Sequence, residues 1–109
     1  MDFELENKWN AVRKELSKDV GDTPDMQGVL FLIGVQEYGK GYQKFSKDEK
    51  LNLIHIAVCT VLEPYGYYEY EGKDSDGWLH FTAKKKLPPL NSREQQQLMK
   101  AAIIDYFKL

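Results

Sequence analysis

Met26-Gln27-Gly28-Val29-Leu30-Phe31-Leu32-Ile33-Gly34-Val35-Gln36-Glu37-Tyr38 is the stretch on which the fold turns. Its centre, Val29 to Val35, is an unbroken apolar run short enough for a buried strand, which is the rival to a helix there. The flanks favour helix. Asp22-Thr23-Pro24-Asp25 supplies a capping oxygen, a proline suited to the first helical position and an acid for the first turn. Gly39 follows Tyr38, where a helix end wants a left-handed residue. Read as a helix, the segment is apolar almost all round and must be buried on several sides.

Upstream, Leu5, Trp9, Val12, Leu16 and Val20 recur every three or four residues between Phe3 and Val20, the stripe of a first helix that Gly21 ends. Glu4 and Lys8 form a favourable pair on its solvated side, and Lys14 and Lys18 lie toward the end where the helix dipole favours cations. Downstream, Gly39-Lys40-Gly41-Tyr42 makes a corner, and Ser46-Lys47-Asp48-Glu49 has the spacing of a capping box. The third helix that follows runs to about Leu62, because Pro64 disfavours helical geometry at Glu63. Leu51, Leu53, Ile54, Ile56, Ala57, Val58, Val61 and Leu62 leave it little polar surface.

Beyond Pro64 the period changes. Tyr67 to Glu71 and Trp78 to Thr82 are aromatic-rich segments separated by the turn-forming Gly72-Lys73-Asp74-Ser75-Asp76-Gly77, which reads as a β-hairpin. Two strands alone are marginal in water, so one face must pack on the helices or on another molecule. Lys84-Lys85-Lys86 and Leu87-Pro88-Pro89 form a connector, and Ser92 with Gln95 repeats the capping-box spacing ahead of a fourth helix, Arg93 to Phe107. Its stripe is Leu98 or Met99, Ala102, Ile103 and Tyr106. The expectation is a single mainly helical α+β domain over residues 1–109. It has four helices with a β-hairpin between helices three and four; helices two and three form the core, one and four flank it, and the hairpin lies against one end.

Composition narrows the function classes. With 109 residues and 42% apolar content the chain can build a core without staples. Fifteen Lys and Arg against 17 Asp and Glu give a net charge of −2, so no overall field draws it to nucleic acid or anionic lipid. Cys59 is the only cysteine, which excludes an internal disulfide and a multi-cysteine zinc site and fits a reducing compartment. The start Met-Asp-Phe-Glu-Leu-Glu lacks the basic, then apolar, pattern of an export signal. No apolar run approaches the ~20 residues of a membrane helix. A cytoplasmic protein with no membrane partner is expected.

His55 and Cys59, four apart on the third helix, point the same way, and Glu37 approaches them if the second and third helices are antiparallel neighbours. Such a trio could hold a metal ion or let the imidazole activate the thiol. Against this, a cysteine on an apolar helix is usually a small hydrophobe and a lone histidine a hydrogen-bonded core residue. His80, placed by alternation on the face of Trp78 and Thr82, reads as a surface histidine paired across strands, with no second ligand at metal spacing. Asp74-Ser75-Asp76-Gly77 resembles part of a calcium loop, but the register puts Gly72 at the first ligand and Ala83 where a bidentate glutamate is needed. Gly39-Lys40-Gly41 lacks the Walker spacing and is a corner. Lys84 to Lys86 beside aromatic rings would suit a single-stranded nucleic acid, but in an acidic protein they read as a solvated run. No metal site and no cofactor are expected.

The most unusual feature is aromatic: Tyr65, Tyr67, Tyr68, Tyr70, Trp78 and Phe81 fall between residues 65 and 81. Alternation divides them between two faces, so the helices absorb one set and leave the other near the surface. Tyr and Trp suit interfaces, since they bury area and keep a polar atom in reach. Tyr67, Tyr68, Tyr70 and Trp78 are therefore the expected binding residues.

The blocks Leu30-Phe31-Leu32-Ile33-Gly34-Val35-Gln36-Glu37, Gly39-Lys40-Gly41-Tyr42, Phe45-Ser46-Lys47-Asp48-Glu49-Lys50, Leu62-Glu63-Pro64-Tyr65-Gly66-Tyr67-Tyr68 and Asp76-Gly77-Trp78 resemble a small protein family of Bacteroidota bacteria over nearly the whole chain. That family has no assigned activity. The resemblance implies a bacterial, cytoplasmic, single-domain protein and contributes no catalytic residues. Two readings of function follow from the residues: a noncatalytic protein-interaction or accessory module using the aromatic hairpin, with a protein partner or a homodimer; or a small enzyme or metal-binding protein centred on Glu37, His55 and Cys59.

Overall fold

A computed structural model describes residues 3–41 and 43–108, and for Asp19 and Val20 the backbone only. Met1 and Asp2 of the acidic start, Tyr42 of the glycine corner and the Val20 side chain of the first stripe lie outside the described residues. The elements in chain order are α1 (Phe3–Val20), α2 (Met26–Tyr38), α3 (Lys47–Leu62), a 3-10 turn (Glu63–Tyr65), β1 (Tyr68–Lys73), β2 (Leu79–Ala83) and α4 (Ser92–Phe107). This is the α+β arrangement of four helices with a hairpin between α3 and α4. The chain divides into two compact units, residues 1–29 with 88–109, and residues 30–87.

In the first unit α1 packs against α4. Trp9 and Val12 of the α1 stripe are buried, as are Ala102, Ile103 and Ile104 of α4, each large one contributing about 1.5–3 kcal/mol by leaving water. Lys100 closes the packing: its Nζ lies 2.8 Å from Glu6 Oε1 and 6.0 Å from the Trp9 ring centre. The starts of α2 and α4 are capped differently from the spacing-based expectation. At α2 the capping oxygen belongs to Asp25, whose Oδ1 accepts from the Gly28 amide at 2.9 Å while its carbonyl accepts from Val29; Pro24 therefore precedes the cap. At α4 the box is Asn91 with Glu94, bonded reciprocally at 2.8 and 3.2 Å, one residue ahead of Ser92 and Gln95. A carboxylate at the third position of a helix meets the positive end of its dipole, which neutral Gln95 does not; Gln95 instead donates to the Leu90 carbonyl.

The second unit is built on α3. Its capping box is the one read from sequence, with Ser46 Oγ accepting from Glu49 N at 3.1 Å and Glu49 Oε1 accepting from Ser46 N at 2.8 Å. Pro64 ends the helix in the 3-10 turn, and left-handed Gly66 sends the chain into β1. Leu53, Ile56, Ala57, Cys59, Val61 and Leu62 are buried along α3, whereas Leu51 is exposed. The hairpin is antiparallel and packs on α3. Its register runs from Tyr68 opposite Ala83 to Lys73 opposite Leu79, with a bulge between Tyr70 and Gly72. That extra residue carries β1 on to Lys73, past the Glu71 limit set by alternation, and moves β2 one residue along to Leu79–Ala83.

Candidate functional site

The hairpin turn is organised by one carboxylate. Asp74 Oδ1 accepts from the amides of Asp76 (2.9 Å) and Trp78 (3.0 Å), and Oδ2 lies 2.9 Å from His80 Nε2. The His80 contact and then the two amides stabilise the ionised form and hold the Asp74 carboxyl below its ordinary range. A second clamp comes from the glycine corner: Lys40 Nζ donates to the Asp76 carbonyl at 2.7 Å. Gly77, left-handed at φ 89°, leaves the room that this ammonium occupies.

The aromatic residues are distributed over this frame rather than gathered. Trp78 stacks on Tyr38 with ring centres 4.3 Å apart and planes 15° from parallel, and packs against the buried cluster of Tyr38, Phe45 and Leu53. It is thus parted from exposed His80, with which alternation grouped it. Tyr70 is 43% exposed and lies 5.4 Å from the Phe81 ring. These two rings, with Leu79, border a hollow of about 310 Å³ whose remaining wall is Glu37, Thr60, Glu63 and Lys73. Tyr67 and Tyr68 border a separate hollow of about 380 Å³ with Lys84, Lys85 and Lys86. There Lys85 Nζ stands 4.7 Å from the Tyr67 ring centre, and Lys84 pairs with Glu69 at 2.6 Å, which raises the lysine's affinity for its proton. Of the four expected binding residues, Tyr67 and Tyr68 share one site, Tyr70 faces another, and Trp78 serves packing.

His55 and Cys59 do meet, with Nε2 and Sγ 3.6 Å apart. Cys59 is fully buried, and burial pushes its thiol up to about 11, so the neutral form dominates at neutral pH. Glu37 borders the Tyr70 hollow. Among the described residues no three His, Cys, Asp or Glu side chains are placed to hold a metal ion, so Glu37, His55 and Cys59 form no common metal centre.

Three contributors were not legible from sequence. Glu63 Oε2 accepts from the Tyr70 amide at 2.8 Å, which closes the outer edge of β1 at its midpoint. Lys40 anchors the turn from 36 residues away. Phe81, read only as one of six aromatics, supplies the ring beside Tyr70. Compared with known proteins, the chain matches no family model, no curated protein and no solved structure. No helix among the described residues is long and apolar enough to cross a membrane.

Proposed function

We propose that this chain is a noncatalytic protein-binding module whose hairpin carries the contact surface. The observation that supports it is the exposed Tyr70 ring beside Phe81 at the mouth of the 310 Å³ hollow. The rings sit on a hairpin whose turn is fixed by Asp74 and Lys40. Rigid aromatic surface that loses little freedom on contact, with Glu37, Glu63 and Lys73 as a polar rim, is what a binding hot spot requires. The resemblance of its sequence blocks to the Bacteroidota family, and its lone cysteine, support a bacterial cytoplasmic setting.

The test is site-specific photo-crosslinking in the cells that make the protein, with the crosslinking amino acid at position 70 and, separately, at exposed position 50. A discrete protein adduct formed from position 70 and not from position 50 is the expected result. The same diffuse pattern from both positions overturns the reading.

A further inference from the structure

The two edges of the hairpin are unlike. On β1 the Tyr70 amide turns away from β2 and is already held by Glu63, and the bulge after Tyr70 interrupts any regular ladder on that side. A peptide strand could not add there without displacing a charge-assisted bond. β2 carries no bulge, proline or glycine. Because Tyr70 turns its amide outward, its register partner Phe81 belongs to a non-hydrogen-bonded pair and also turns its amide and carbonyl outward. Ala83, opposite Tyr68, repeats this two residues on. The described residues supply no third strand to meet these groups, and His80, Thr82 and Ala83 along this edge are exposed.

The charges at the two ends of β2 are opposite. The acidic turn Asp74-Ser75-Asp76 precedes it and Lys84-Lys85-Lys86 follows it. Among the described residues neither the Asp76 carboxylate nor the Lys86 ammonium has a hydrogen-bond or ion-pair partner, whereas Asp74 is taken by His80, Lys84 by Glu69 and Lys85 by the Tyr67 ring. An antiparallel copy of the same strand, centred on Phe81, puts Ala83 opposite Leu79 and brings the basic end of each copy, which carries Lys86, toward the acidic turn of the other, which carries Asp76, twice over by symmetry. Resting on the proposed binding role of the hairpin, we infer that the partner is a second copy of this chain. The two β2 strands pair antiparallel about Phe81 into a four-stranded sheet with a two-fold axis. The pairing satisfies the outward amides of Phe81 and Ala83 and matches each basic end to an acidic turn, a self-complementarity that a parallel arrangement lacks.

Sedimentation of the purified chain across a concentration series tests this, with hydrogen exchange at the Phe81 and Ala83 amides as the local readout. A dimer whose formation slows exchange at both amides is expected. Ala83→Pro removes one outward N–H without touching the β1 ladder, and should weaken the dimer at least about tenfold while the circular dichroism of the monomer is kept. Lys86→Glu and Asp76→Lys, both at exposed side chains, should each weaken association. The double variant should regain it, because the two charges have then changed places and attract again across the two-fold axis. A monomer throughout the micromolar-to-millimolar range, or charge reversals whose losses add instead of cancelling, overturns the second-copy pairing. The adduct at position 70 still decides independently whether the hairpin binds a different protein.

Discussion

A β-carbon on Gly34 would fall inside contact distance of the Leu53 carbonyl, so α2 and α3 approach backbone to backbone at this pair. Gly34 and Leu53 are both buried, and the obstacle is main chain, which cannot swing aside as a flexible side chain would. In an open helix, glycine to alanine stabilises by about 1 kcal/mol. Here overpacking outweighs that gain, and Gly34→Ala is expected to lower the unfolding free energy by about 3 kcal/mol. Urea denaturation followed by tryptophan fluorescence measures it, and a neutral or stabilising effect would show that the helices part at little cost.

Burial holds Cys59 in its thiol form. Its shift from 9.0 to about 11 lowers the thiolate fraction near neutral pH by about a hundredfold, before steric protection is added. A disulfide reagent at pH 8 is therefore expected to label the native chain at least about a hundred times more slowly than the urea-unfolded chain. The sign of the linkage follows from the raised value. Stability from the buried neutral thiol is complete below pH 9 and is lost as pH rises toward 11, because the unfolded thiol ionises first. Rapid labelling without unfolding would restore the His55–Cys59 pair as a reactive site.

Asp74 sets the opposite dependence. Its carboxyl is depressed by His80 first and by the Trp78 and Asp76 amides next. The stability it contributes is present above the ordinary carboxylate value, near pH 3.9, and is lost as pH falls through the depressed one. Nuclear magnetic resonance of the turn amides should show Asp76 and Trp78 losing their bonds at low pH. Asp74→Asn should flatten that transition. An unchanged profile in the variant would place the acid sensitivity elsewhere.

What the sequence made legible is what is encoded over short separations. The stripe through Trp9 and Val12, the Ser46–Glu49 box and the stop imposed by Pro64 each depend on residues within a turn or two of one another, and all three stand in the fold. Overlapping boxes at Asn91–Glu94 and Ser92–Gln95 satisfy the same spacing, and only the added charge of Glu94 separates them. The candidate site was less legible because it depends on an inserted residue and on distant pairs. The bulge after Tyr70, the Glu63 bond to its amide and the Lys40 bond to Asp76 decide which rings share a face. Periodicity carries no signal for them.

That distribution separates two aromatic residues that composition alone grouped together. Trp78 is stacked on Tyr38 and packed on the Tyr38, Phe45 and Leu53 cluster, so Trp78→Ala removes ring packing from a partly enclosed site and should cost about 2–3 kcal/mol of stability. Tyr70 gives its amide to Glu63 through the backbone, which alanine preserves, and its partly exposed ring loses chiefly the contact with Phe81. Tyr70→Ala should change stability by less than about 1 kcal/mol while weakening partner capture, read with the crosslinker moved to neighbouring position 69. Denaturation and crosslinking yield on the two variants measure both quantities together. If Tyr70→Ala destabilises as much as Trp78→Ala, its ring belongs to the packing of the hairpin on α3; if capture survives its loss, the contact surface lies away from the 310 Å³ hollow.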